Sequence, residues 1–359
     1  MKNAYSKTLG KVTLTAMAIW LAAGCASKKP VPTNYYFFPP APDEPRIQYL
    51  MSYGSESDLG SPSAFSSFVV GEEKVYRPIW KPYGLAINEG KIYVCDTQAG
   101  NVSISDLAKR KMRFVKPDGQ AAMKIPIWVA VDKDGTLYVT DTGRNQLLIY
   151  DKAGNLVEAI GKKDEMKPSG LALAGNNLYL TDLKNHCVRV YNKASRQVVL
   201  TIPRQDNTND QAKLFLPTNV AVDKNGRICV SDSGGFAVKV YDANGNYIRT
   251  IGELGVTPGQ FALPKGIGVD HEGRIFVIDA AAPVVQLFDS EGKLLMYFGE
   301  PKSSGDAGLY LPAGLVVDYD NVGLFQKYVA PGYKLEYLIL LTNQVGPHKV
   351  SVFGFIKKA

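Results

Sequence analysis

Three histidines and four cysteines are the side chains in this sequence best suited to metal binding or covalent chemistry: His186, His271, His348, Cys25, Cys95, Cys187 and Cys229. A zinc site requires several such ligands at about 2.0–2.1 Å from one ion. Cys187 follows His186 directly, but an adjacent pair without a third orienting group is weak evidence for a nucleophile. The sequence contains no Cys-x-x-Cys-His, P-loop or Gly-x-Ser-x-Gly motif. We therefore predict no catalytic residue, metal or cofactor, and nothing supports a structural calcium ion.

The overall composition is that of an ordinary globular protein, whose secondary-structure elements must position these residues. The 359 residues are 45% hydrophobic, 21% charged and 10% aromatic, which excludes collagen-like, coiled-coil and largely disordered proteins. The 34 glycines and 21 prolines indicate many turns.

One unit recurs six times along the chain. Strong copies begin at Pro126, Pro217 and Pro264, looser copies begin at Pro82, Pro168 and Pro312, and successive prolines are 42–49 residues apart. Each copy contains four short runs of β-branched and aromatic residues separated by Asp-x-x-Gly or Asn-Gly turns. A period of 40–50 residues with four strands per unit is typical of a propeller blade.

The repeated motif resembles the NHL repeat over about residues 79–355. It reads Pro-x-Gly-Leu-Ala-Val-Asp, followed by Gly, Tyr-Val-Thr-Asp, Asn, Tyr-Asp and Gly. The resemblance implies an all-β, six-bladed β-propeller forming a single domain over residues 46–359. The last copy lacks a fourth strand, so we predict that residues 46–54 complete it and close the ring. The aspartates that end the second strands recur in five copies, which favours a structural role for them: Asp96, Asp141, Asp182, Asp232 and Asp279.

The first 25 residues predict export and lipidation. Lys2, Lys7 and Lys11 precede a twelve-residue apolar run that is too short to span a bilayer. The run ends in Leu-Ala-Ala-Gly-Cys, which resembles the lipobox of bacterial lipoproteins and marks Cys25 for lipid attachment. We predict a signal peptide at residues 1–24 and a Pro-rich tether at residues 25–45. An ordinary signal peptide or an uncleaved anchor are the alternatives.

Two departures from the repeat are candidate binding sites. Residues 319–336 form an insertion in blade six that carries Phe325, Tyr328 and Tyr333, which either pack on the ring or contact a partner. The first strand of each blade lines the axis of a propeller, so residues beside the repeated prolines face the central opening. These residues are Tyr83, Trp128, Ser169, Asn219, Lys265 and Ala313. Four of them could bind a sugar, a peptide or an acidic group: Tyr83, Trp128, Asn219 and Lys265. The alternative is that all six side chains simply fill the channel.

These patterns predict a lipid-anchored scaffold or binding protein rather than an enzyme. NHL-like lipoproteins imply cell-envelope complexes, so we expect an envelope protein as partner, a membrane contact through the lipid, and a monomeric ring. In a Gram-negative cell the sorting pattern after Cys25 favours the outer membrane. Removing residues 1–24 lowers the net charge from +7 to about +4, which is too mild for a nucleic-acid binder.

The alternative function is a propeller lyase, a lactonase-like hydrolase or a small-ligand binder acting at the channel. The histidines fall in loops of different blades and on opposite faces, unlike those of the NHL-like amidating lyase. The calcium-dependent lactonase places Glu, Asn and Asp at the channel, where this sequence offers only Asn219.

Overall fold

The computed structural model describes residues 35–60, 77–301 and 305–359. The chain divides after Tyr35, and the compact unit is Tyr36–Ala359. Cys25 and the predicted signal peptide lie outside the described residues.

Residues 82–298 form five four-stranded antiparallel blades. Blade one contains β3 (Pro82–Asn88), β4 (Lys91–Asp96), β5 (Asn101–Asp106) and β6 (Lys111–Val115). Blade two contains β7 (Pro126–Val131), β8 (Leu137–Asp141), β9 (Gln146–Tyr150) and β10 (Leu156–Ile160). Blade three contains β11 (Pro168–Ala174), β12 (Asn177–Asp182), β13 (Cys187–Asn192) and β14 (Val198–Ile202). Blade four contains β15 (Pro217–Val222), β16 (Ile228–Asp232), β17 (Ala237–Tyr241) and β18 (Tyr247–Ile251). Blade five contains β19 (Pro264–Val269), β20 (Ile275–Asp279), β21 (Val284–Phe288) and β22 (Leu294–Phe298).

Blade six joins the two ends of the chain. Its inner three strands are β25 (Pro312–Asp318), β26 (Tyr333–Asn343) and β27 (Val350–Lys358), and its fourth is β2 (Ile47–Tyr53). Strand β2 pairs antiparallel with β27, from Ile47 opposite Phe355 to Tyr53 opposite Val350. The all-β six-bladed fold and its closure by an N-terminal strand are thereby confirmed.

A fifth strand in blade six corrects the predicted end of the tether. Strand β1 (Phe37–Phe38) pairs with β2, and the Phe38 ring lies 6.1 Å from Phe298 and 6.2 Å from Phe353. The prolines of this segment predict an extended spacer, but the two phenylalanines bury apolar surface on the ring and hold it there.

The remaining regular elements are short. A two-stranded parallel pair joins β23 (Glu300–Pro301) to β24 (Gly308–Leu309). Five 3₁₀ turns are η1 (Glu56–Leu59), η2 (Gly119–Ala121), η3 (Asp210–Ala212), η4 (Val322–Leu324) and η5 (Gln326–Tyr328). No helix in the described ranges is long and apolar enough to cross a bilayer.

The core lies between neighbouring blades. Second and third strands are buried almost throughout. In fourth strands such as β18, exposed residues alternate with residues that are half-buried or buried, as expected for the outer strand of a blade. Between blades one and six, for example, Ile92 and Val94 pack in one cluster with Leu338 and Leu340. This packing makes the ring a rigid platform for its loops.

Candidate functional site

Buried aspartates organise the face of the ring at which the repeated prolines lie, here called the proline face. Asp96 is 1% exposed, and its carboxylate accepts hydrogen bonds from the backbone N–H groups of Trp80 at 2.6 Å and Lys81 at 3.1 Å. Asp141 holds the Lys124 and Ile125 amides in the same way. Equivalent bonds join Asp232 to Phe215 and Leu216, Asp279 to Ala262 and Leu263, and Asp182 to Lys167. These bonds fit the structural role predicted for the repeated aspartates.

The residues fixed by these carboxylates include a set of exposed apolar side chains. Among the described residues, fifteen large hydrophobic side chains are exposed; six lie on fourth strands and one, Leu324, lies on the opposite face. The other eight belong to loops of the proline face: Trp80, Ile125, Phe215, Leu216, Leu254, Val256, Leu311 and Val345. Trp80 is 55% exposed and Val256 is 82% exposed. Apolar surface concentrated on one face is typical of an interaction site.

Sequence reasoning missed these residues, although a signal for some of them exists. Trp80, Ile125, Phe215, Leu216 and Leu311 all stand one or two positions before a repeated proline. The first buried strand of each blade begins at the proline. Apolar residues just before the proline lie outside the predicted core, and this position was the signal that they could be exposed.

Lysines accompany the apolar side chains. Lys81 follows Trp80, Lys124 precedes Ile125, and Lys167 precedes the third repeated proline; all three are exposed. Within the described part of the chain, none of these three lysines forms an ion pair. The proline face therefore offers apolar contacts together with three lysine ammonium groups that form no ion pair with a described residue.

The structure corrects half of the predicted channel-mouth site. Trp128 is 4% exposed and Asn219 is fully buried, so Asn219 has no accessible surface at the opening and Trp128 has very little. Trp128 packs with Met166 and Leu171, and Asn219 lies against Gly170 of the neighbouring blade. Both residues occupy the second position after the proline, where the other four blades have glycine.

Tyr83 and Lys265, in contrast, lie close together and are half-buried. The Lys265 Nζ is 5.6 Å from the centroid of the Tyr83 ring, and the intervening blade carries only Ala313 at the equivalent position. Burial, with a smaller effect from Lys81, lowers the pKa of Lys265. Burial also raises the pKa of Tyr83 to about 12. Ser169 and Ala313 are buried.

Among the described residues that line the axial opening below Tyr83 and Lys265, none is charged. A cavity of about 250 Å³ is lined by the third to fifth residues after each proline, such as Leu85–Ile87, and by Trp128. The innermost strand of each blade pairs on one side only, so its free backbone edge faces this cavity.

The predicted docking insertion packs largely on the ring. Phe325 is 1% exposed and lies in the cluster that contains Leu335 and Leu338, so of the two alternatives given for the insertion this side chain packs on the ring. The other blades have no counterpart of this insertion, so the repeat could not indicate which of its residues are buried. Tyr328 and Tyr333 are half-buried against the same cluster.

The histidines are well separated in their contacts. The His186 imidazole contacts the carbonyl oxygen of Phe215, His348 Nδ1 lies 2.6 Å from Ser52 Oγ, and the His271 ring stacks on Tyr319. Over residues 35–60, 77–301 and 305–359, no three His, Cys, Asp or Glu side chains are grouped so that they could hold a metal.

The thiols of Cys95, Cys187 and Cys229 are buried and free. Burial raises the pKa of Cys187 to about 11 and that of Cys229 to about 12, which keeps both protonated at neutral pH.

Comparisons with known proteins agree with this architecture. A family model described as a 6-bladed beta-propeller matches residues 206–297, and the NHL repeat model matches residues 166–191. Among curated protein sequences, none matches this chain.

Solved structures share the fold at low identity. A structural genomics protein of unknown function from Bacteroides thetaiotaomicron is 16% identical, with 87% of this chain and 76% of that chain covered and a TM-score of 0.58. A streptogramin B lyase is 14% identical, with 78% and 84% covered and a TM-score of 0.53. A nidogen/laminin complex contains a chain that is 17% identical, with 62% and 82% covered and a TM-score of 0.50. A lyase and a chain of the nidogen/laminin complex thus share this fold, so the fold alone does not distinguish catalysis from binding.

Proposed function

We propose that this chain, a six-bladed β-propeller with NHL-type repeats, is a lipid-anchored cell-envelope protein that binds a protein partner on its proline face. The observation that carries the proposal is the gathering of eight exposed apolar side chains in the loops of that face. Buried carboxylates such as Asp96 fix the backbone of these loops, so the surface is formed before binding and little ordering is required.

The charges of the face define the partner. Lys81, Lys124 and Lys167 lie beside the apolar residues, and none of the three ammonium groups forms an ion pair with a described residue. A complementary partner surface is apolar at its centre and carries carboxylates around it. Attachment through Cys25 would hold the ring at a membrane, where an envelope protein of this kind is within reach.

The test is crosslinking and affinity recovery of the native lipoprotein from its own membranes. A Trp80→Ser, Ile125→Ser, Phe215→Ser variant should lose a stoichiometric partner while retaining the wild-type melting temperature. The matched control replaces three exposed apolar residues of the fourth strands, Val157, Val199 and Leu295, with serine and should keep the partner. Equal recovery by both variants, or recovery of the lipoprotein alone, contradicts the proposal.

A propeller enzyme is the alternative function. The lyase structure supports it through fold alone, and the wall of the axial cavity contributes no acid, base or nucleophile.

A further inference from the structure

A cleft between blades five and six opens on the face opposite the prolines. Its volume is about 310 Å³, near the lower end of ligand pockets. One wall is the first turn of blade five, with His271 and Glu272, and the other is the start of the long strand β26 with the end of β27. Blade six alone has this extended hairpin, so the cleft exists at one point of the ring.

Two lysines face each other across the hairpin wall. Lys334 and Lys357 are directly opposite in the register of β26 and β27, and both line the cleft. Like charges at opposed positions destabilise a strand pair. Glu336 forms an ion pair with Lys357, but Lys334 has no acidic partner among the described residues.

The second acidic side chain of the cleft also forms an ion pair. Glu272 lies 3.2 Å from Arg274 Nη1, and Arg274 in turn binds the buried Asp270 at 2.6 Å. Of the three cationic side chains at the cleft, Lys334 is therefore the one that forms no ion pair with a described residue. An anion placed beside Lys334 and Lys357 would give Lys334 a partner.

Two stacked aromatic rings line the same cleft as these lysines. The rings of His271 and Tyr319 are parallel within 3°, with centroids 3.6 Å apart. The backbone N–H of His271 donates to the Tyr319 hydroxyl at 2.9 Å, which holds the two rings in place. His271 is exposed and lines the cleft, so its ring is accessible to a planar ligand.

We propose that this cleft binds a small ligand that carries a carboxylate or phosphate group on a flat ring. The anionic group lies between Lys334 and Lys357, and the ring stacks on His271. This inference does not rest on the function proposed for the proline face, because the two sites lie on opposite faces.

The experiment uses benzoate as the probe and the histidine rings of the full chain as reporters. The chain has three histidines, so ring-labelled NMR spectra contain few signals, and His271→Asn assigns the relevant one. Benzoate should shift the His271 signal and leave those of His186 and His348 unchanged. Lys334→Met should weaken benzoate binding at least tenfold, and Lys163→Met, an exposed lysine elsewhere, should not alter it.

Two further probes separate charge from stacking. Benzamide, which lacks the charge, and cyclohexanecarboxylate, which lacks the flat ring, should each bind more weakly than benzoate. Phenyl phosphate tests whether the cleft also binds a phosphate group on a flat ring, and it should compete with benzoate. Absence of a His271 shift, an equal response to benzamide, or unchanged binding by Lys334→Met overturns the proposal.

Discussion

The carboxylate of Asp96 lies 2.6 Å from the backbone nitrogen of Trp80, sixteen residues earlier in the chain. Asp96 is buried at the end of a second strand, whereas the Trp80 side chain is mostly exposed. The same carboxylate also accepts from Lys81, Gln98 and Ala99. One buried group therefore joins two loops of the proline face and sets the position of its exposed aromatic ring.

Asp96→Ala should destabilise the ring and loosen this face. The substitution leaves four backbone donors without their charged acceptor, and we expect the free energy of unfolding to fall by about 3 kcal/mol. Urea denaturation measures the change. Asp118→Ala is the matched control, because Asp118 is exposed on the same face and makes no capping bond. Equal stability of the two variants would contradict the structural role of Asp96.

The closing strand offers a test of the ring itself. Ile47 is fully buried against blades five and six, so Ile47→Ala should lower the free energy of unfolding by about 2–5 kcal/mol. Val157→Ala removes the same kind of surface from an exposed position and should change stability by less than about 0.5 kcal/mol. If Ile47→Ala unfolds at the urea concentration of the wild type, the strand does not close the ring.

The repeat made the blades and the closing strand predictable, but it did not reveal which side chains face the opening. The reason is a register shift just after the repeated proline, between Pro126 and Trp128 in blade two and between Pro217 and Asn219 in blade four. A bulge breaks the alternation of faces on which reading a strand from sequence depends. The structure was therefore needed to show that Trp128 and Asn219 are buried. It was also needed to show the burial of Phe325, which has no counterpart in the other blades.

Lys265→Met should stabilise the protein at neutral pH. Burial lowers the pKa of Lys265, so the folded state disfavours the ammonium at every pH below the lowered value. That penalty disappears as the pH rises through the folded pKa towards the unfolded value of about 10.4. The cation–π contact with Tyr83 offsets only part of it.

Thermal melting of Lys265→Met and wild type at pH 7 and near pH 10 measures this effect. The variant should melt higher at pH 7, and the gap should shrink at the higher pH. Lys163→Met, at an exposed lysine, corrects for the loss of one charge. A variant that melts lower than wild type at pH 7 contradicts the argument.

Cys25→Ala tests the predicted lipid anchor. The substitution removes the thiol that receives the lipid, so the precursor should stay unprocessed by lipoprotein signal peptidase and incorporate no labelled fatty acid. Cys229→Ala serves as the control, because that thiol is buried in blade four and should leave labelling unchanged. A normally acylated Cys25→Ala product would refute the assignment.

Phe325→Ala separates packing from docking in the blade-six insertion. Phe325 is buried among the side chains that join blades one and six, and its removal should lower the free energy of unfolding by about 3–5 kcal/mol. Leu324→Ser, one residue earlier and 37% exposed, should leave stability nearly unchanged. Denaturation curves of the two variants decide the question. A stable Phe325→Ala protein that loses its partner would restore the docking role predicted from the sequence, because the side chain would then contribute to binding without supporting the ring.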